Sequence, residues 1–180
     1  MKEIIIQGLS IVGFIITVLS FQCKSNKKFF IMQGAGGTVF FLHFLLKAVC
    51  LGELAAFGGA FFNLANLPRA ILMAKNDKKI WKLILTIFLY TAAFSYSLYT
   101  LWGDILSIAL VALPFAGLIV MSVLMWIGDA VRIRYGQIAV GSPTWIIHNV
   151  FIFSLGGLIC EVFNMISSVI AIVRFKRESK

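Results

Sequence analysis

Two short polar stripes stand out in a chain that is mostly hydrocarbon. Glu161, Asn164 and Ser168 follow at i, i+3 and i+7, and Gly59, Asn63 and Asn66 at i, i+4 and i+7, so on helices each set shares a face. A carboxyl group, three carboxamides and a hydroxyl can exchange hydrogen bonds with a small polar solute. Asn63, Asn66, Asn164, Ser168 and Glu161 are therefore the candidate substrate-binding residues. His43 and His148, the second beside Asn149, are the two imidazoles of the chain. His43, His148, Asn149 and Glu161 form a candidate proton relay or gate, because imidazole changes charge in the physiological range. Gly36, Gly37 and Pro143 loosen the helices that carry the histidines and are the candidate hinges. The same residue types also act as glue between apolar helices, at about 0.6 kcal/mol per hydrogen bond. A buried histidine is equally well satisfied by a backbone carbonyl or an asparagine neighbour.

Other chemistries lack a carrier. G-x-S-x-G, H-E-x-x-H, paired aspartates and a glycine-rich phosphate loop are absent, so no enzyme is expected. Cys23, Cys50 and Cys160 are scattered and odd in number, which indicates no disulfide framework, no metal site and no cofactor. The net charge of +9 falls in short clusters between apolar runs rather than on an aromatic-interleaved basic surface, so nucleic acid is not an expected partner.

The elements that must hold these residues are dictated by solvent. Of 180 residues 61% are apolar and 13% charged, with a mean hydropathy of +0.98. A soluble domain of this size cannot hide so much apolar surface, whereas a bilayer accepts it. One helix needs about 20 apolar residues to cross the hydrocarbon. Uncharged runs predict seven: about Ile4–Gln22, Phe29–Ala48, Leu54–Ala74, Ile80–Trp102, Ile105–Ile127, Gly136–Ser154 and Leu158–Val173, with Gly156-Gly157 as the last turn. The N-terminal run lacks a strong basic region and a cleavage site, and reads as a retained helix.

Seven spans sort the basic residues by side. Lys2 and Lys47 fall on one side. Lys24, Lys27, Lys28, Arg69, Lys75, Lys78, Lys79, Lys82, Arg132, Arg134, Arg174, Lys176, Arg177 and Lys180 fall on the other, which accounts for all 16. Lys and Arg excess marks the cytoplasmic face, so the N-terminus is expected outside and the C-terminus in the cytoplasm.

The chain also repeats weakly. A slide of 105 residues places Gly36 on Gly141, Phe40 on Trp145, His43 on His148, Gly52 on Gly157 and Arg69 on Arg174. Asn164 then falls on Gly59 and Ser168 on Asn63. The expected architecture is all-α: a single transmembrane domain with triple-helix halves at 1–75 and 104–177, joined by a linker helix at 79–102. This 3+1+3 parallel repeat turns about an axis along the membrane normal.

The stretch Trp145-Ile146-Ile147-His148-Asn149, then Ser154-Leu155-Gly156-Gly157, Glu161 and Arg174-Phe175, with His43-Phe44, Asn63 and Arg69 in the first half, resembles the YgjV family of bacterial inner-membrane proteins. The resemblance covers nearly the whole chain and implies a bacterial inner-membrane location. More remotely it implies a SWEET/PQ-loop-like fold, although no Pro-Gln dipeptide occurs. It implies no activity. The expectation from the stripes and the repeat is a transporter or facilitator of a small polar solute, through a cavity between the halves. The alternative is a non-transporting scaffold or subunit that binds another membrane protein. The lipid bilayer is the expected partner, and a homo-oligomer is compatible with the sequence.

Overall fold

Backbone that cannot bond to water must bond to itself, and a helix does so within one segment. The computed structural model describes residues 2–20, 26–73 and 79–178, and every regular element among the described residues is helical. In order these are α1 (Lys2–Ser20), α2 (Asn26–Leu51), α3 (Ala56–Met73), α4 (Ile80–Thr100), α5 (Ile105–Ile127), α6 (Ala130–Gly136), a π-helical segment (Gln137–Gly141), α7 (Ser142–Phe151) and α8 (Leu155–Glu178). Five helices are long and apolar enough to cross a membrane: Lys2–Ser20, Ile31–Leu51, Ile80–Thr100, Ile105–Ile127 and Leu155–Arg174. The other two helical runs are α3, with Pro68 and Arg69 near its end, and the continuous run 130–151, which the π segment divides.

Helix ends are set by local chemistry. The Asp104 carboxylate caps α5 by accepting from the Ser107 amide at 3.1 Å, and Asp129 caps α6 by accepting from the Val131 and Arg132 amides. Gly52 (φ +74°) and Gly103 (φ +92°) turn the chain where a side chain would be strained.

The sixth helical run departs from expectation. It starts at Ala130 rather than Gly136, because Asp129 supplies a cap seven residues before Gly136. Arg132 and Arg134 therefore lie within the helix and not in a connecting loop. The turn into α8 is Ile152–Ser154, with Phe153 at φ +48°, and not Gly156-Gly157. Those glycines lie inside α8 because of close packing: a Cβ on Gly156 would sit 2.3 Å from the Ser10 backbone, and one on Gly157 would sit 2.7 Å from the Asn149 carboxamide. The slide of 105 residues therefore holds through the histidines and fails at the turn.

Neighbouring helices close a ring. α1 packs on α2, α2 on α3, α3 on α5, α5 on the run 130–151, α7 on α8, and α8 back on α1; α4 packs outside, against α3 and α5. The ring has two ends. One carries the N-terminus of α1 and the turns at Gly52, Gly103 and Phe153; the other, the basic end, carries Gly128, Arg69 and Arg134. The outer surface is apolar, with Ile4, Phe88, Ile105 and Val150 exposed, and Trp81 and Trp102 at opposite ends of α4. Amphipathic rings at both ends of a span suit membrane interfaces.

Candidate functional site

The ring encloses a cavity of about 210 Å³. Every ring member contributes: Thr17 from α1, Gln33, Gly37, Phe40 and Phe44 from α2, Asn63, Asn66 and Arg69 from α3, and Gly117, Leu118, Met121 and Met125 from α5. Arg134, Gln137, Gly141, Trp145 and Asn149 come from the run 130–151, and Cys160, Glu161, Asn164 and Ser168 from α8. No described residue of α4 lines it. On α5 the lining runs from Gly117 to Met125, the half nearer the basic end.

Aromatic rings form the floor toward the turn end. Phe44 stacks on Trp145 with centroids 6.1 Å apart, Phe62 meets Trp145 edge-on at 6.4 Å, and Phe62 stacks on Phe115 at 6.2 Å. Gly59 lies beneath Phe44, where a Cβ would come within 3.0 Å of the ring. It belongs to the stripe on α3 as a packing position and not as part of the lining.

The walls are polar. On α8 the Glu161 carboxylate accepts from the Ser142 hydroxyl at 2.8 Å and from the Gln137 and Asn164 amides at 3.4 Å each. Facing it on α3, Asn63 donates to the Gly59 carbonyl at 2.9 Å, Asn66 donates to Asn63 Oδ1 at 3.4 Å, and the Tyr90 hydroxyl donates to Asn66 Oδ1. Asn149 Oδ1 and Ser168 Oγ are buried without a hydrogen-bond partner among the described residues. Arg69 sits with its guanidinium carbon 5.9 Å from the Tyr90 ring centre.

All five candidate binding residues thus reach one cavity, as do Asn149 and Gly37. The spacing 63, 66, 70 on α3 matches 161, 164, 168 on α8 at a difference of 98 residues, which pairs Asn66 with Asn164. The sequence register of 105 differs from this by seven residues, about two helical turns, and pairs Asn164 instead with Gly59, which packs on Phe44 outside the lining.

The histidines stand apart from the lining. His43 Nδ1 is 2.8 Å from the Ile6 carbonyl and its Nε2 is 2.9 Å from the Ser154 hydroxyl. His148 Nδ1 is 3.1 Å from the Leu110 carbonyl. Neither bonds to Glu161, whose described partners are Ser142, Gln137 and Asn164. Each imidazole instead ties its own helix to an earlier one, α2 to α1 and α7 to α5, at carbonyls 37 and 38 residues before it.

Gly36 packs against Thr17, and α2 continues unbroken through Gly36 and Gly37. Pro143 opens α7 directly after the π segment. Proline lacks the N–H that an α-helix would aim at residue 139, and the widened turn is the local answer. There the Ser142 amide bonds to the Gln137 carbonyl, and the Thr144 hydroxyl donates to the carbonyls of Val140 and Gly141.

The sequence does not single out Arg134, Gln137 or Ser142 as site residues, and it offers Arg69 as a charge of the basic side, a repeat anchor and part of the family resemblance. Arg134 was hidden by the late start assigned to its helix. Ser142, one residue before a proline, carried a signal only in its spacing to the partners of Glu161.

The chain matches, over residues 4–179, the family described as Imp-YgjV, bacterial inner membrane protein. It belongs to that family and is a bacterial inner-membrane protein with several apolar helices. No curated protein and no solved structure matches it, so the remoter SWEET/PQ-loop likeness has no counterpart there.

Proposed function

We propose that this chain is a transporter or facilitator that passes a small polar solute through the central cavity, between two three-helix halves. The observation that carries the proposal is that all six members of the ring give polar or cavity-forming side chains to one space, while α4 gives none. That division fits α1–α3 and the run from α5 to α8 as the two halves, with α4 as the linker, in a 3+1+3 arrangement of seven crossings. The matched histidine-to-carbonyl bonds in the two halves support the same plan. The basic end faces the cytoplasm, with the N-terminus outside and the C-terminus inside, in keeping with the distribution of Lys and Arg.

In this mechanism Asn63, Asn66, Asn164, Ser168 and Glu161 replace the hydration of the solute, and the floor around Phe44 and Trp145 blocks its exit toward the turn end. Alternating access moves one half against the other, with the π segment before Pro143 and the glycines of α2 as the places that yield.

The test is flux. Proteoliposomes of the purified protein, loaded with a labelled metabolite mixture and sampled over minutes, should exchange at least one polar solute faster than protein-free vesicles. Trp145→Ala should change the rate. Equal leakage from both vesicle types across the mixture would refute transport, and a stoichiometric co-purifying membrane protein would then favour a scaffold.

A further inference from the structure

Two guanidinium groups line the cavity, one from each half: Arg69 on α3 and Arg134 on α6. Both are partly buried. Among the described residues neither has a carboxylate partner; the salt bridges there join Lys47 to Glu53 and Arg132 to Asp129. Glu161 is the acidic group of the lining, and its carboxylate is already held by donors from Ser142, Gln137 and Asn164. The fixed charge of the lining is therefore two positive groups against one that is internally satisfied. A partly buried guanidinium without a counter-charge calls for an anion, which its fork of N–H donors binds well.

A second observation points to a ligand in the same cavity. Asn149 is 2% exposed and Ser168 1% exposed, both line the cavity, and Asn149 Oδ1 and Ser168 Oγ have no hydrogen-bond partner among the described residues. A buried polar atom without a partner is uncommon and costly. An amide oxygen can only accept, so its missing partner is an O–H or N–H. Gly157 allows the Asn149 carboxamide to occupy this position, since any Cβ there would collide with it.

We infer that the solute is a small organic anion, a short carboxylate that also bears a hydroxyl or amino donor. Its charged group is bound between Arg69 and Arg134 and its donor meets Ser168 beside them, while Asn149 lies about three helical turns nearer the aromatic floor, against Gly157. This rests on the proposal that the cavity is a solute site and names the class of solute.

The experiment is thermal unfolding of the whole protein in a neutral detergent, with malate, succinate, glycerol and ethanolamine as probes at millimolar concentration. Malate should raise Tm by several degrees, and succinate, which lacks the hydroxyl, by less. Glycerol and ethanolamine should leave Tm unchanged. Arg69→Gln and Arg134→Gln should each weaken malate binding at least tenfold while leaving the ligand-free Tm within about two degrees of the parent. Arg134→Lys should recover part of the loss. If Arg69→Gln fails to fold, Arg134→Gln with its Lys counterpart carries the comparison.

A Tm rise with glycerol or ethanolamine and none with either acid would overturn the anion class while leaving a solute cavity in place. A rise produced only by phosphatidylglycerol in nanodiscs, and abolished by the same Arg variants, would assign the guanidinium groups to a lipid phosphate and overturn the inference. No response to any probe, together with flux in proteoliposomes, would reject the anion and keep transport. No response without flux would reject both.

Discussion

Where α8 meets α1 the ring closes on hydrogen bonds, and where α3 meets α5 it closes on side-chain packing. At the first seam the Gly156 amide donates to Ser10 Oγ at 3.1 Å, Gln7 donates to the Phe153 carbonyl at 2.6 Å, and the Leu155 amide donates to Gln7 Oε1 at 3.2 Å. At the second, Phe62 stacks on Phe115, and Gly58 lies against the methyl groups of Val111. Hydrogen bonds are directional and fix a register, whereas stacked rings tolerate sliding at small cost. The α1/α8 seam is thus suited to be the fixed edge of the ring, and the α3/α5 seam the edge that can shift.

The largest expected contrast comes from adding one methyl group to each seam. Gly156→Ala places a Cβ 2.3 Å from the Ser10 backbone, which cannot rotate aside, and should cost about 3 kcal/mol. Gly58→Ala meets the Val111 methyls at 2.4 Å, which can change rotamer, and should cost about 1 kcal/mol. Thermal unfolding in detergent reads both, and equal losses would erase the distinction between the seams.

Next is the ion pair at the turn end, Lys47 Nζ to Glu53 Oε1 at 2.9 Å, which ties α2 to the turn that leads into α3. Lys47 is fully buried and Glu53 partly exposed, so the two partners are unequal. Glu53→Gln leaves a buried ammonium uncompensated and should destabilise by about 3 kcal/mol. Lys47→Met removes the fully buried charge and leaves Glu53, whose side chain is partly exposed although its Oε2 is buried, so its cost should be smaller. If Lys47→Met proved the worse of the two, burial would not govern the pair.

A smaller effect should follow from Ser10→Ala. This removes the acceptor for the Gly156 amide without adding volume, and about 1 kcal/mol is expected. The smallest lies at Asp104, the exposed cap of α5. The Ser107 hydroxyl and then its amide hold the Asp104 carboxyl below its ordinary range. A lowered folded-state value means that the contribution is present above the unfolded value and is lost as pH falls through the folded one. Tm should therefore dip in acid below about pH 4, and Asp104→Asn should flatten that part of the dip. A pH profile identical in parent and variant would remove the cap from the account.

Much of this was legible in the sequence. Bilayer physics made the helical class and most helix limits readable from uncharged runs, and the i, i+3, i+7 spacing brought Glu161, Asn164 and Ser168 to one face that does line the cavity. What failed did so for local reasons. Arg134 was assigned to a loop because a short capped turn, α6, carries too few apolar residues to register in a hydropathy window. His43 and His148 were candidate partners of Glu161, but a backbone carbonyl on the neighbouring helix was nearer than any carboxylate. Lys47 reads only as a charge at the end of its helix, because nothing in the linear pattern shows that Glu53 folds back on it. The descriptions of Cys23 and of Lys24 and Lys75 as loop residues fall outside the described residues.

The π segment at 137–141 acts as a phase shifter along the run 130–151. The cavity positions on this run are 133, 134, 137, 141, 145 and 149, from 133 onward mostly in steps of four, a spacing that drifts steadily around a pure α-helix. The wider turn absorbs part of that drift, so that Arg134 and Asn149 both face the same space. Deleting a single residue between Gln137 and Gly141 would restore α-helical pitch and rotate Arg134 by about 100° relative to Trp145. In this chain the length of that short stretch matters as much as its composition.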